Sequence, residues 1–142
     1  MSKVLYPMLD PTAYLKLAEE LSSNSETAAR RTAADRAYFA AFLVSRDLLA
    51  EKGYMLPHYS DEDHKDVVDV LKDMQVLGAF GNEENRLRMA RNCVTYDTRD
   101  LDSSMLRNVR SLEWMLYTAR EIIKRVKALP ENPKSSRGGA GK

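Results

Sequence analysis

One cysteine, Cys93, is all the thiol chemistry this 142-residue chain has. It cannot form an internal disulfide, so nothing points to an oxidising compartment. No histidine neighbours it in sequence, and it reads as a buried structural thiol rather than a nucleophile. No apolar run approaches the roughly 20 residues of a membrane helix, and no signal-peptide pattern opens the chain, so a cytoplasmic protein without a membrane partner is expected. There is no glycine-rich phosphate loop, no G-x-S-x-G elbow and no dinucleotide fingerprint; the GGAG near the end is low complexity. The two histidines, His58 and His64, lack a recognised ligand spacing, and the acids around them are ordinary for a helix start, so no metal and no cofactor is expected. A net charge of only +1 excludes a general polycation; bulk electrostatics do not demand nucleic acid.

What is present fits one globular domain. Hydrophobic residues make up 44% and charged residues 30%, normal for a single core of this length. The charge is unevenly spread: residues 61–73 hold six acids and two lysines, whereas residues 86–127 hold ten Lys or Arg and five acids. One side can therefore meet an anion that the other repels, although two helices with charged outer faces would give the same count.

The periodicity is helical almost throughout. Asp10-Pro11 is a helix start, a capping carboxylate before a first-turn proline, and Tyr14, Leu17, Ala18 and Leu21 form an apolar stripe. Ser23 and Glu26 have capping-box spacing and predict the start of a long helix that Gly53 closes. Its stripe is Ala34, Ala37, Tyr38, Ala41, Phe42, Ser45, Leu48 and Leu49. Ala33, Ala40 and Val44 widen it, so neighbours are expected on more than one side. Ser60 and Asp63 begin a third helix with Val67, Val70, Leu71 and Met74 inward. Gly78 and Gly81 interrupt, Asn82 caps a fourth, and Asp102 or Ser103 starts a last helix whose stripe runs from Met105 to Val126. The expectation is an all-α antiparallel bundle of about five helices. It occupies residues 1–129, is built mainly on 25–52 and 103–128, and is followed by a disordered tail over 130–142.

The stretch from Arg88 to Asp97, RMARNCVTYD, carries most of the chemistry. Arg88, Asn92 and Tyr96 repeat at four-residue steps and share a helix face, bordered by Arg91 and Thr95. Two guanidiniums, an amide and a phenol on about two turns suit a phosphate or a base better than a core; a solvated helix face is the bland alternative. Arg36 lies among Ala33, Ala37 and Ala40. If buried, it needs a carboxylate, with Asp97 or Asp66 as candidates; if partly exposed, only its stem packs. Tyr38, Phe39 and Phe42 read as core or dimer contacts rather than a base-stacking platform.

Three stretches together resemble the HEPN superfamily of small helical domains, in its single-domain prokaryotic branch. They are Arg36-Ala37-Tyr38-Phe39-Ala40-Ala41-Phe42, then His64-Lys65, then the Arg91 to Asp97 run. The resemblance covers residues 27–127, with Asp63 replacing the threonine of the family's T-H-K element. It implies nucleotide or RNA binding, a homodimer whose paired motifs line a groove, and association with a minimal nucleotidyltransferase in a toxin–antitoxin-like pair. Many members are ribonucleases whose motif histidine follows an arginine. Here Tyr96 stands in that place, and a phenol with a pKa near about 10 is a poor proton shuttle at neutral pH.

The expected function is thus a non-catalytic module binding a nucleotide or RNA through Arg88, Arg91, Asn92 and Tyr96, with Arg36 and Asp97 pairing structurally. A ribonuclease using Arg91, Tyr96 and His64, the missing histidine being supplied by His64 or by the other subunit, is the second expectation. A structural interaction subunit is the third.

Overall fold

The computed structural model describes residues 9–74, 85–92 and 112–133. They form helices α1 (Thr12–Ser22), α2 (Thr27–Glu51), α3 (Glu62–Asp73), α4 (residues 85–92) and α5 (Leu112–Lys127), with no strand among them. The all-α bundle is as expected. The predicted features at Gly78, Gly81, Asn82, Asp102, Ser103 and Met105 lie outside the described residues, as do Cys93, Thr95, Tyr96 and Asp97.

Helix α2 is the axis of the fold, packed chiefly against α1 and α5 and more lightly against α3. Its stripe is buried as read: Ala33, Ala34, Ala37, Ala40, Ala41 and Leu49 are inaccessible, and Tyr38, Phe42 and Val44 nearly so. The alanines let neighbouring helices approach on two sides, so α2 serves two clusters. One joins it to α1, α3, α4 and α5; a smaller one sets Ala40 and Val44 against Ile123. On α5, Leu112, Met115, Leu116, Ala119, Ile122, Ile123 and Val126 are buried along one face.

Helices α1 and α2 run antiparallel. Helix α5 instead lies alongside α2 in the same direction, their C-terminal ends together. The Lys52 ammonium, at the end of α2, donates to the carbonyls of Val126 (3.2 Å) and Lys127 (2.9 Å) and to that of Leu129. A cation placed there satisfies carbonyls that a helix end leaves without intrahelical partners. Gly53, at φ 86°, closes α2 as predicted, with the Tyr54 N–H reaching back to the Leu49 carbonyl at 2.7 Å; only glycine takes this conformation at no steric cost.

The helix starts depart from expectation in detail. Ser23 does not open α2: its hydroxyl donates to the Glu20 carbonyl at the end of α1 (3.2 Å), and Asn24 Oδ1 accepts the Glu26 N–H at 2.8 Å. Asp10 works as read, accepting the Thr12 N–H at 3.0 Å. Leu17 is 39% exposed, and Leu15 takes its place against the core. Residues beyond α5 pack back on the end of α2. Asn132 bonds the Lys52 and Gly53 carbonyls, and the Tyr54 hydroxyl donates to that of Pro130.

Candidate functional site: a cationic cleft between three helices

Helices α2, α3 and α4 meet around a cleft of about 530 Å³ lined by Phe39, Asp61, His64, Arg88, Arg91 and Asn92. Each helix supplies its groups by ordinary periodicity. On α2, Asp35, Tyr38, Phe39 and Phe42 sit at i, i+3, i+4 and i+7, one face. On α4, Leu87 and Ala90 are buried; that anchoring leaves the adjoining positions Arg88, Arg91 and Asn92 half-buried at the cleft.

His64 comes from the first turn of α3, and Asp63 beside it sets that turn. The Asp63 carboxylate is inaccessible to solvent and accepts the backbone N–H groups of His58 and Tyr59, both at 2.8 Å. Burial pushes its pKa up, but the N–H donors of His58, Tyr59 and Ser60 and the charge of Arg46 outweigh that and hold it below the ordinary value. The predicted Ser60/Asp63 pair does lie at the start of α3, but not as a reciprocal capping box: the Asp63 N–H donates to the Ser60 carbonyl at 3.1 Å, and the Ser60 hydroxyl accepts the Glu62 N–H at 3.4 Å.

The His64 imidazole stacks on Phe42, with centroids 3.9 Å apart and planes 13° from parallel. Phe39 meets it edge-on at 6.3 Å. Its Nδ1 is hydrogen-bonded to the hydroxyl of the buried Tyr38. Burial, then the charges of Arg88 and Arg91, lower the His64 pKa, with Asp61 and Asp63 opposing. The ring is therefore mainly neutral at neutral pH.

Arg91 is anchored. Its Nε donates to Asp35 Oδ1 at 2.8 Å and its Nη1 to Asn92 Oδ1 at 3.0 Å, while its guanidinium lies 4.8 Å from the Phe39 centroid and 5.8 Å from that of Tyr38. The bond to Arg91 engages the Asn92 carbonyl oxygen and leaves its Nδ2 as a donor. Arg88 makes no ion pair with any described residue, and its charge is felt at His64.

Comparison of the chain with known protein families, curated proteins and solved structures finds no match. The chemistry of the cleft rests on its own side chains: two guanidiniums, an amide and an imidazole, with a carboxylate, Asp61, at the α3 side. Donors of this kind are chemically suited to an anion bearing several acceptor oxygens.

Of the ligand-binding residues expected from the sequence, Arg88, Arg91 and Asn92 lie together; Tyr96 falls outside the described residues. His64, expected only for a catalytic reading, lines the same cleft. Arg36 does not line it: its side chain is 36% exposed, 3.3 Å from Asp35 Oδ2, with its guanidinium over the Tyr14 ring at 5.3 Å. Of the two carboxylates considered for it, Asp97 is outside the described residues, and Asp66 lies 3.9 Å from His58 instead. Tyr38 and Phe42 are in the core as read, and Phe39 also faces the cleft. Asp35, which anchors Arg91, and Asp61 were missed. The available signal for Asp35 was its shared face with Tyr38 and Phe42. Among the described residues no group of three or more His, Cys, Asp or Glu gathers to hold a metal, and no helix is long and apolar enough to cross a membrane.

Proposed function

We propose that this cleft binds the phosphate of a nucleotide or of an RNA strand, and that the protein is a non-catalytic, HEPN-like binding module. The observation that carries the reading is Arg88, half-buried and without an ion-pair partner among the described residues, beside Arg91 and Asn92 and opposite His64. A half-buried cation with no direct ion-pair partner is an electrostatic cost that a visiting anion would relieve, although the Asp61 carboxylate across the cleft offsets part of it. Arg91, tied to Asp35 and laid against Phe39, supplies a rigid second cation. Homodimer formation and pairing with a nucleotidyltransferase belong to the same proposal through the family resemblance.

The test is a fluorescence-anisotropy titration of labelled single-stranded RNA, with adenosine monophosphate as competitor, over a salt series. Affinity should fall as salt rises, and Arg88→Ala should weaken it by about tenfold and reduce the salt slope by about one, with the melting temperature unchanged. Wild-type protein that binds neither probe at low salt would end the proposal.

A second reading, a ribonuclease, is favoured by one observation: a mainly neutral His64 shares the cleft with both arginines. Cleavage of the same RNA that disappears in His64→Ala would establish it in place of simple binding.

A further inference from the structure

We propose that His64 is itself a ligand-binding residue of the cleft: its Nε2–H donates to a phosphate oxygen, and the buried Tyr38 hydroxyl positions it by donating to Nδ1. The inference rests on the reading of the cleft as a phosphate site and adds to it the histidine contact, its tautomer and the residue that sets both.

The geometry begins with a ring that has little freedom. Phe42 covers one face of the imidazole, Phe39 meets it edge-on, and the Tyr38 ring stacks at 5.6 Å between centroids. The start of α3 is tied down by the buried Asp63 carboxylate. Within this frame the Tyr38 hydroxyl engages Nδ1, and no described residue pairs with Nε2. A histidine kept only for packing needs no opening to a cleft that also holds Arg88; this one lines it.

The two ring nitrogens have complementary duties in the neutral form. When Nδ1 accepts from a hydroxyl, the proton resides on Nε2, which then is a donor. The oxygens of a phosphodiester and the ionised oxygens of inorganic phosphate accept hydrogen bonds, so this tautomer suits either. The groups facing His64 are the Tyr38 hydroxyl from α2, Asp61 just before its own helix and Asp63 on it, and Arg88 and Arg91 from α4. In the empty cleft the two guanidiniums work against protonation. A bound phosphate offsets them, so Nδ1 takes up a proton more readily; the Nδ1–H then donates to the Tyr38 hydroxyl oxygen, whose own proton rotates away, and Nε2–H becomes a charge-assisted donor.

The experiment is long-range proton–nitrogen NMR of the imidazoles in the full chain, with a His58→Gln background to leave one histidine. Inorganic phosphate and a short oligouridine are the probes, each measured also by binding titration. The free protein should show the Nε2–H tautomer at neutral pH. Phosphate should shift the His64 resonances and raise its titration midpoint by about one pH unit. His64→Ala should weaken both probes by about tenfold, the loss of one charge-assisted hydrogen bond, and His64→Gln, whose amide still donates, by less. In Tyr38→Phe the resonances should move toward a mixture of tautomers, and binding should weaken with the circular dichroism unchanged. A packing role alone would alter melting and leave tautomer and midpoint in place.

A free protein holding the Nδ1–H tautomer overturns the proposal even if Tyr38→Phe does not fold. So does Arg88-dependent phosphate binding that leaves the His64 resonances unmoved and His64→Ala within about twofold of wild type; the phosphate site then stands without its histidine. If neither probe binds the wild type, the phosphate reading and this one fall together.

Discussion

Replacing Asp63 by Asn should unhinge the start of α3 and with it one wall of the cleft. The carboxylate is inaccessible and receives the His58 and Tyr59 N–H groups at 2.8 Å each. An amide of the same shape keeps one acceptor oxygen but turns an N–H₂ toward the other donor, so at least one backbone N–H loses its partner. Charge-assisted bonds of this kind contribute roughly 1.5–3 kcal/mol each, and a buried donor left unpaired costs a similar amount. Residues 57–61 can relax toward water, which trims the sum, so the expected loss is about 2–4 kcal/mol. For a domain of this size that is a fall of about 10 °C in melting temperature. The pH dependence provides an internal control. Because the folded pKa of Asp63 lies below its ordinary value of 3.8, the unfolded chain takes up the proton first. The contribution is then fully present well above 3.8 and is lost as pH falls through the folded value. Thermal denaturation by circular dichroism, run on both proteins from neutral to strongly acid pH, should show a gap that narrows only at the acid end. A variant melting within about 1 °C of wild type at neutral pH, or a gap that stays constant on acidification, would refute the reasoning.

Three further outcomes follow from the same structure. His64 should make the ligand-free protein acid-sensitive. Burial and the two arginines lower its pKa from the ordinary 6.5, so its contribution is present above that value and lost as pH falls below it; melting temperature should drop on mild acidification in wild type and less so in His64→Gln. Ser45 is buried with no partner for its hydroxyl among the described residues. Ser45→Ala should therefore stabilise the fold by roughly 1 kcal/mol in a urea titration. Lys52→Met keeps an apolar stem but strips the donors from the Val126, Lys127 and Leu129 carbonyls. It should cost roughly 1–2 kcal/mol in the same assay.

Much of the framework was readable along the chain because it depends on spacing within one helix. The α2 and α5 stripes bury as their periodicity requires, and Gly53 ends α2 where a positive φ is needed. The shared position of Arg88, Arg91 and Asn92 is equally local, a consequence of three- and four-residue steps on α4. Helix starts were less legible, since Ser23 can bond either the helix behind it or the one ahead, and the choice falls to the geometry of the turn. The direction of α5 beside α2 and the anchoring of the chain beyond Leu129 also lay beyond periodicity. Both depend on which ends the packing brings together.

The amino-acid order by itself determined an all-helical chain, the faces its helices bury and the cationic character of α4, because hydrophobic period and capping act over a few neighbouring residues. Only the tertiary structure decided what those cations face. The Tyr38–His64 bond joins residues 26 apart in sequence and the Arg91–Asp35 pair residues 56 apart. At such separations no local rule links the partners, and contact is set by how α2, α3 and α4 cross around the core. That crossing is what brings His64 into the cleft of Arg88 and Arg91.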